Sequence, residues 1–174
     1  MKTISQQGLD SWSPKNVGPF EPAWLNRLIE EGLSKSQAEK AVLLVKQAIQ
    51  NTINDPRGRW ILKPRPMAFS EYPISYVRPK SLDIQSVILD RVFIEAETST
   101  LWIIDFKTSQ PHQKLETLEL FLASEKAKYQ SILEDYAYAV QSLFDSKNSR
   151  RLGLYFPLIP AWIEWEDRCI TYSP

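Results

Sequence analysis

Apolar residues recur at helical spacing through the first third of the chain. Trp24, Leu25, Leu28 and Ile29 make a short stripe that closes at Gly32, a residue suited to the left-handed turn after a helix. Ser36 followed by Glu39 reads as a capping box opening a longer helix, whose apolar face carries Ala38, Ala41, Val42, Val45, Ile49 and Ile53. That helix must stop before Pro56, because a proline pushes the preceding residue out of the α region. The pattern then changes to runs rich in β-branched and aromatic residues: RWILK at 59–63, AFSEYPISYV at 68–77, SVILDRVFIEA at 86–96 and TLWIIDFKT at 100–108. A long amphipathic helix follows, with Leu118, Phe121, Tyr129, Ile132, Leu133, Tyr136, Val140, Leu143 and Phe144 three and four apart. Two further strands, RLGLYFP at 151–157 and AWIEWE at 161–166, complete the pattern. The order predicts an α/β fold with a mixed central sheet flanked by helices. The length predicts one domain over 1–174, with a helical part at 1–55, a β-rich core at 56–109 and a long helix with closing strands at 113–172.

Composition removes several chemistries. Glycine is scarce, 5 residues in 174, and no glycine-rich phosphate loop is present, which excludes P-loop and dinucleotide-binding readings. A single cysteine, Cys169, excludes an intramolecular disulfide and a thiolate zinc cluster. The one histidine, His112, excludes a multi-histidine metal site. The N-terminal residues lack the apolar run of a signal peptide and no stretch is long enough to span a bilayer, so the expected setting is cytoplasmic, with no membrane partner.

Charge is balanced, 21 Lys plus Arg against 21 Asp plus Glu, which by itself argues against a nucleic-acid partner. The balance is local cancellation, however. Residues 56–80 hold Arg57, Arg59, Lys63, Arg65, Arg78 and Lys80 against Glu71 alone, interleaved with Trp60, Phe69, Tyr72 and Tyr76. Such a run either tracks a phosphate backbone and stacks bases or is a solvated surface over core aromatics. Arg150 and Arg151 either extend the patch or guard a strand edge. Glu116, Glu119, Glu125 and Lys126 read as the wet face of the long helix.

The stretch DRVFIEAETSTLWIIDFKTS at 90–109 carries the chemistry. Two apolar strands flank EAETST, so the simplest structure is a hairpin with Ile94 opposite Leu101 and residues 95–100 as the loop. That register sets Asp90 opposite Asp105, with Cβ atoms roughly 5 Å apart on one face, and alternation brings Lys107 to the same face. Two carboxylates so close repel each other in an apolar setting. Either Lys107 neutralises them as a structural ion cluster, or the pair binds a hard divalent cation, for which carboxylate oxygens are natural ligands.

The motifs RGRWIL at 57–62, SEYPIS at 70–75, LDRVFI at 89–94, LWIIDFKTS at 101–109, the segment Tyr129–Ala137 and RLGLYFPL at 151–158 together resemble the PD-(D/E)XK nucleases. The narrower resemblance is to the RecB-type nuclease domain of exonuclease V beta and UvrD-like helicase chains. It implies a restriction-endonuclease-like core, with Asp90 and Asp105 as metal ligands, the Phe106 carbonyl as a further ligand and Lys107 as the catalytic lysine. Glu71 matches a glutamate common before the hairpin, in contact with the metal or in a salt bridge to an arginine such as Arg91. The implied cofactor is Mg2+ or Mn2+. The implied substrate is DNA, at ends or single strands fed by a helicase chain, contacted by Arg57, Arg59, Lys63, Arg65, Tyr129 and Tyr136. Two departures stand out. No histidine precedes the hairpin, where the family has a helix with a histidine ligand. Ile132 stands four residues before Tyr136, where relatives have glutamine, and Gln130 lies on a different helical face. A nuclease-fold module that binds DNA or a helicase partner without turnover is the alternative.

Overall fold

A computed structural model describes residues 12, 17–77, 83–111, 117–141, 143–144 and 149–167. His112, Arg78, Lys80, Glu116 and Cys169 lie outside the described residues. The chain divides into two compact units, one holding the described residues up to Pro64 together with Phe156–Ala161, the other Arg65–Tyr155 and the described residues from Trp162 on.

The first unit is helical. A 3-10 turn at Gly18–Phe20 leads into α1 (Glu21–Glu30), α2 (Lys35–Asn54) and α3 (Pro56–Leu62). Gly32 takes a φ of 100°, the left-handed conformation expected of a residue that ends α1. The capping box that opens α2 is Ser34 with Gln37, two residues before the expected Ser36 and Glu39. The Gln37 amide donates to Ser34 Oγ at 3.4 Å and the Ser34 amide to Gln37 Oε1 at 3.0 Å, so Ser36 already lies within the first turn. Ala38, Val42, Ala48, Ile49, Thr52 and Ile53 are buried along α2, while Val45, expected on this face, is exposed. Residues 59–63 are not a strand. Asp55 accepts from the amides of Arg57 and Gly58 at 3.2 Å each and Pro56 occupies the first turn, so this N-cap converts the apolar run into a helix that buries Ile61 and Leu62. Asn51 Nδ2 donates to the carbonyls of Pro157 and Leu158 at 2.9 and 3.2 Å.

The fold is α/β, with a five-stranded mixed sheet in the order β1-β2-β3-β4-β5: β1 (Ala68–Val77), β2 (Ile84–Glu95), β3 (Thr100–Phe106), β4 (Ser149–Phe156) and β5 (Ala161–Glu166). β1 to β3 form an antiparallel meander and β4 joins β3 in parallel. The β2–β3 register sets Ile94 opposite Leu101 as the pattern predicts, and one more pair, Glu95 with Thr100, shortens the connection to residues 96–99. Because β4 lies inside the sheet, Arg150 and Arg151 guard no edge. Arg150 Nε pairs with Asp167 at 3.1 Å and Arg151 Nη2 with Glu164 at 2.8 Å. A Cβ at Gly153 would stand 2.1 Å from the Trp162 indole, so only glycine lets the ring cross this strand. Helix α4 (Leu118–Val140) packs against β1 and β3, burying Phe121, Leu133, Ala137 and Val140, and stops short of Leu143 and Phe144. Val92, Phe93, Leu101, Ile103, Ile104, Leu152 and Leu154 form the buried core of the sheet. Among the described residues no helix is long and apolar enough to cross a membrane.

Candidate metal and phosphate site

The candidate site forms where the β2–β3 ladder ends. The last pair is Arg91 with Ile104, and one step beyond it Asp90 and Asp105 face each other across the two strands. Instead of a backbone pair, the Asp90 side chain takes over: its Oδ2 accepts from the Phe106 amide at 2.8 Å. Phe106 is also held by β4, opposite Tyr155 in the parallel ladder, and the two rings meet edge to face with centroids 6.0 Å apart. The Lys107 amide donates to the Tyr155 carbonyl at 2.9 Å, so backbone contacts fix the strand end that carries both Asp105 and Lys107.

Electrostatics at this point are dominated by burial. Asp105 is buried, and Lys107 Nζ pairs with its Oδ2. Burial pushes the Asp105 carboxyl up to about 6; the Lys107 hydrogen bond pulls the other way, and the Asp90 charge adds to the rise. For Lys107, burial favours the neutral amine, but the hydrogen bond and charge of Asp105 outweigh it and raise the pKa. Lys107 is therefore an ammonium at neutral pH. Its Nζ also lies 4.0 Å from the centroid of the Tyr129 ring, a cation–π contact from α4. Tyr136, two helical turns along the same face of α4, has its phenol pKa raised by burial and then by the Asp105 charge, which puts it within electrostatic reach of the carboxylates.

Glu71 stands across from Asp90 in the register of β1 and β2, and the basic residues expected to contact DNA lie earlier in the chain. Glu71 is exposed, and the β1–β2 ladder passes from Ser70–Arg91 to Tyr72–Leu89 without a backbone pair at that step. Its φ of 48° is left-handed, uncommon for a non-glycine residue within a strand. Among the described residues no group of three or more His, Cys, Asp and Glu side chains converges as metal ligands. Arg91, beside Asp90, is buried and donates through Nη1 to Ser70 Oγ at 2.9 Å; burial and then Arg65 lower its pKa to about 10. Arg57 and Arg59 belong to α3 and Lys63 follows it, all in the first unit. Arg57 stacks over Trp60 at 4.9 Å, and Arg59 Nη1 donates to the Ile53 carbonyl at 3.4 Å. Arg65 belongs to the second unit, folded over the Phe93 ring at 4.0 Å, and burial lowers its pKa against the pull of Glu95 and Glu97.

Two features escaped the reading of the sequence. Glu125, expected on the wet face of α4, is buried, and its Oε2 accepts from Ser109 Oγ at 2.5 Å. It lies four residues before Tyr129 on the same helical face, a spacing that was legible. The second is the seat of Lys107 on Tyr129, which requires the docking of α4 and is not legible from either segment alone.

The donor set suits a hard divalent cation. Two adjacent carboxylates carry more negative charge than one ammonium offsets, and magnesium commonly takes one or two carboxylates with water filling its other positions. No family model matches the chain, and a search of the curated proteins finds no match.

Proposed function

We propose that this protein hydrolyses DNA phosphodiesters with Mg2+ or Mn2+, on a restriction-endonuclease-like core of the RecB type, working in the cytoplasm at ends or single strands supplied by a helicase chain. The observation that carries the reading is the placement of Asp90, Asp105 and Lys107 at one strand end, with the two carboxylates adjacent and the ammonium on the second of them. Asp90 and Asp105 would hold the cation, with the Phe106 carbonyl as a further donor. The cation, when bound, would polarise the phosphate and lower the pKa of water.

The chain's own groups supply the rest. The Phe106 amide fixes Asp90, so that one carboxylate oxygen stays oriented while the other is left for the cation. Lys107, kept protonated by Asp105, acts as a hydrogen-bond donor that orients water and faces charge building on the phosphate oxygens. Tyr129 supports the ammonium from beneath, and Arg57, Arg59, Lys63, Arg65 and Tyr136 are the proposed DNA contacts.

Incubation of the purified protein with linear single- and double-stranded DNA and manganese tests this. Cleavage is expected, and Asp105→Ala and Lys107→Ala should each lower it by about 100-fold or more. Cleavage that survives both substitutions overturns the assignment. The second reading, a module that binds DNA without cutting it, draws on the two-carboxylate donor set and on Ile132 in the glutamine position. Manganese-independent DNA retention with no product is its signature.

A further inference from the structure

The buried carboxylate of Glu125 is a costly group to place under a helix, since an ionised carboxylate away from water needs hydrogen bonds or a counter-charge. It has one of each. Ser109 Oγ donates to its Oε2 at 2.5 Å, and Lys128 Nζ stands 3.7 Å from its Oε1. Ser109 lies two residues past Lys107, where β3 has ended and the backbone has no regular structure. One turn of α4 therefore holds two side chains of this irregular segment: Glu125 takes Ser109, and Tyr129, four residues on, takes the Lys107 ammonium at 4.0 Å.

We propose that Glu125 is a positioning residue for Lys107: by tying Ser109 to α4 it keeps the ammonium seated between the Asp105 carboxylate and the Tyr129 ring. The functional importance of this role rests on the reading of Lys107 as a working group; the positioning itself does not. Without the tie, among the described residues the backbone after Phe106 is held at the Lys107 amide, by its bond to Tyr155, and the ammonium keeps its pair with Asp105 while the side chain can shift away from the ring. Ser109→Ala removes the tie from one end and Glu125→Ala from the other. Glu125→Gln keeps an oxygen that accepts from Ser109 and is the conservative rescue.

The readout is the NMR position of the Lys107 methylene protons next to Nζ, assigned by their loss in Lys107→Arg. In the full-length wild type the ring current of Tyr129 should move them upfield. Ser109→Ala and Glu125→Ala should return them toward the position of a free lysine, and Glu125→Gln should hold them upfield. Should Glu125→Ala fail to fold, Ser109→Ala against Glu125→Gln carries the comparison. On manganese-dependent DNA cleavage, the two alanine variants should lose about tenfold or more in kcat with little change in KM, and the glutamine variant should retain most of it. Lys107 signals that stay upfield in Ser109→Ala, or that are not upfield in the wild type, overturn the proposal. A wild type that cleaves no DNA overturns the nuclease reading instead, and the NMR comparison still decides the positioning role.

Discussion

β2 has two halves that share a strand and little else. From Arg91 to Phe93 it pairs on both sides, with β1 and β3, and all three residues are buried, while Ile94 and Glu95 continue the pairing with β3. From Ile84 to Leu89 it pairs with β1 alone, and one face of that ribbon carries Pro73, Val77, Ile84 and Ile88 in the open, with Ser75 and Ser86 joined across it by a 2.9 Å hydrogen bond. Asp90 stands at the boundary. Its role follows from that position: where β3 leaves β2, an amide loses its ladder partner, and the Asp90 carboxylate supplies the missing acceptor. The candidate site thus sits at a discontinuity of the sheet, with one side rigid enough to hold charge in place and the other exposed.

The largest way to test this contrast is to cut the same kind of side chain from each half. Phe93→Ala, at a fully buried position, should lower stability to urea by about 3–5 kcal/mol, whereas Ile88→Ala, 61% exposed, should cost about 1 kcal/mol or less. Equal losses would erase the distinction between the halves.

A smaller effect is expected from the buried charge at the boundary. Asp105 has a folded-state pKa near 6, above the ordinary 3.8, so its protonated form favours folding; that contribution is full below about pH 4 and lost as the pH rises through about 6. Without divalent cations, Asp105→Asn should therefore be more stable than wild type near pH 7 by about 1–3 kcal/mol, with the gap closing toward pH 4. A gap that stays constant over this range would mean that Asp105 carries no such strain.

The smallest effect concerns the amide that changes partner. Asp90→Ala leaves the Phe106 amide without its acceptor, while Asp90→Asn keeps an oxygen there, and both remove the charge. Asp90→Ala should be the less stable of the two by about 1–2 kcal/mol. Equal stabilities would mean that water replaces the carboxylate and that the boundary is loose.

Much of this arrangement was legible because strand pairing is a matter of register. Once two apolar runs flank a short polar link, setting Ile94 opposite Leu101 brings Asp90, Asp105 and Lys107 together, and β5 is found at residues 161–166 as expected. Residues 59–63 misled for a local reason: Trp60, Ile61 and Leu62 suit a strand, but the Asp55–Pro56 cap before them outweighs that preference. Two overlapping Ser-x-x-acceptor patterns stood at the start of α2, and spacing alone does not choose between Ser34 and Ser36. Glu125 was misplaced because a glutamate on a helix usually faces water; the hydroxyl that makes its burial tolerable comes from a segment 16 residues away.

The left-handed turn at Glu71 bears on the company the protein keeps with itself. β1 is the first strand of the sheet, and an unbroken outer strand of ten residues is a template on which a second copy can add its own strand. The left-handed Glu71 interrupts the pairing with β2 between Ala68–Ser70 and Tyr72–Val77. A distortion one strand away from the candidate site thereby also guards the sheet against self-association.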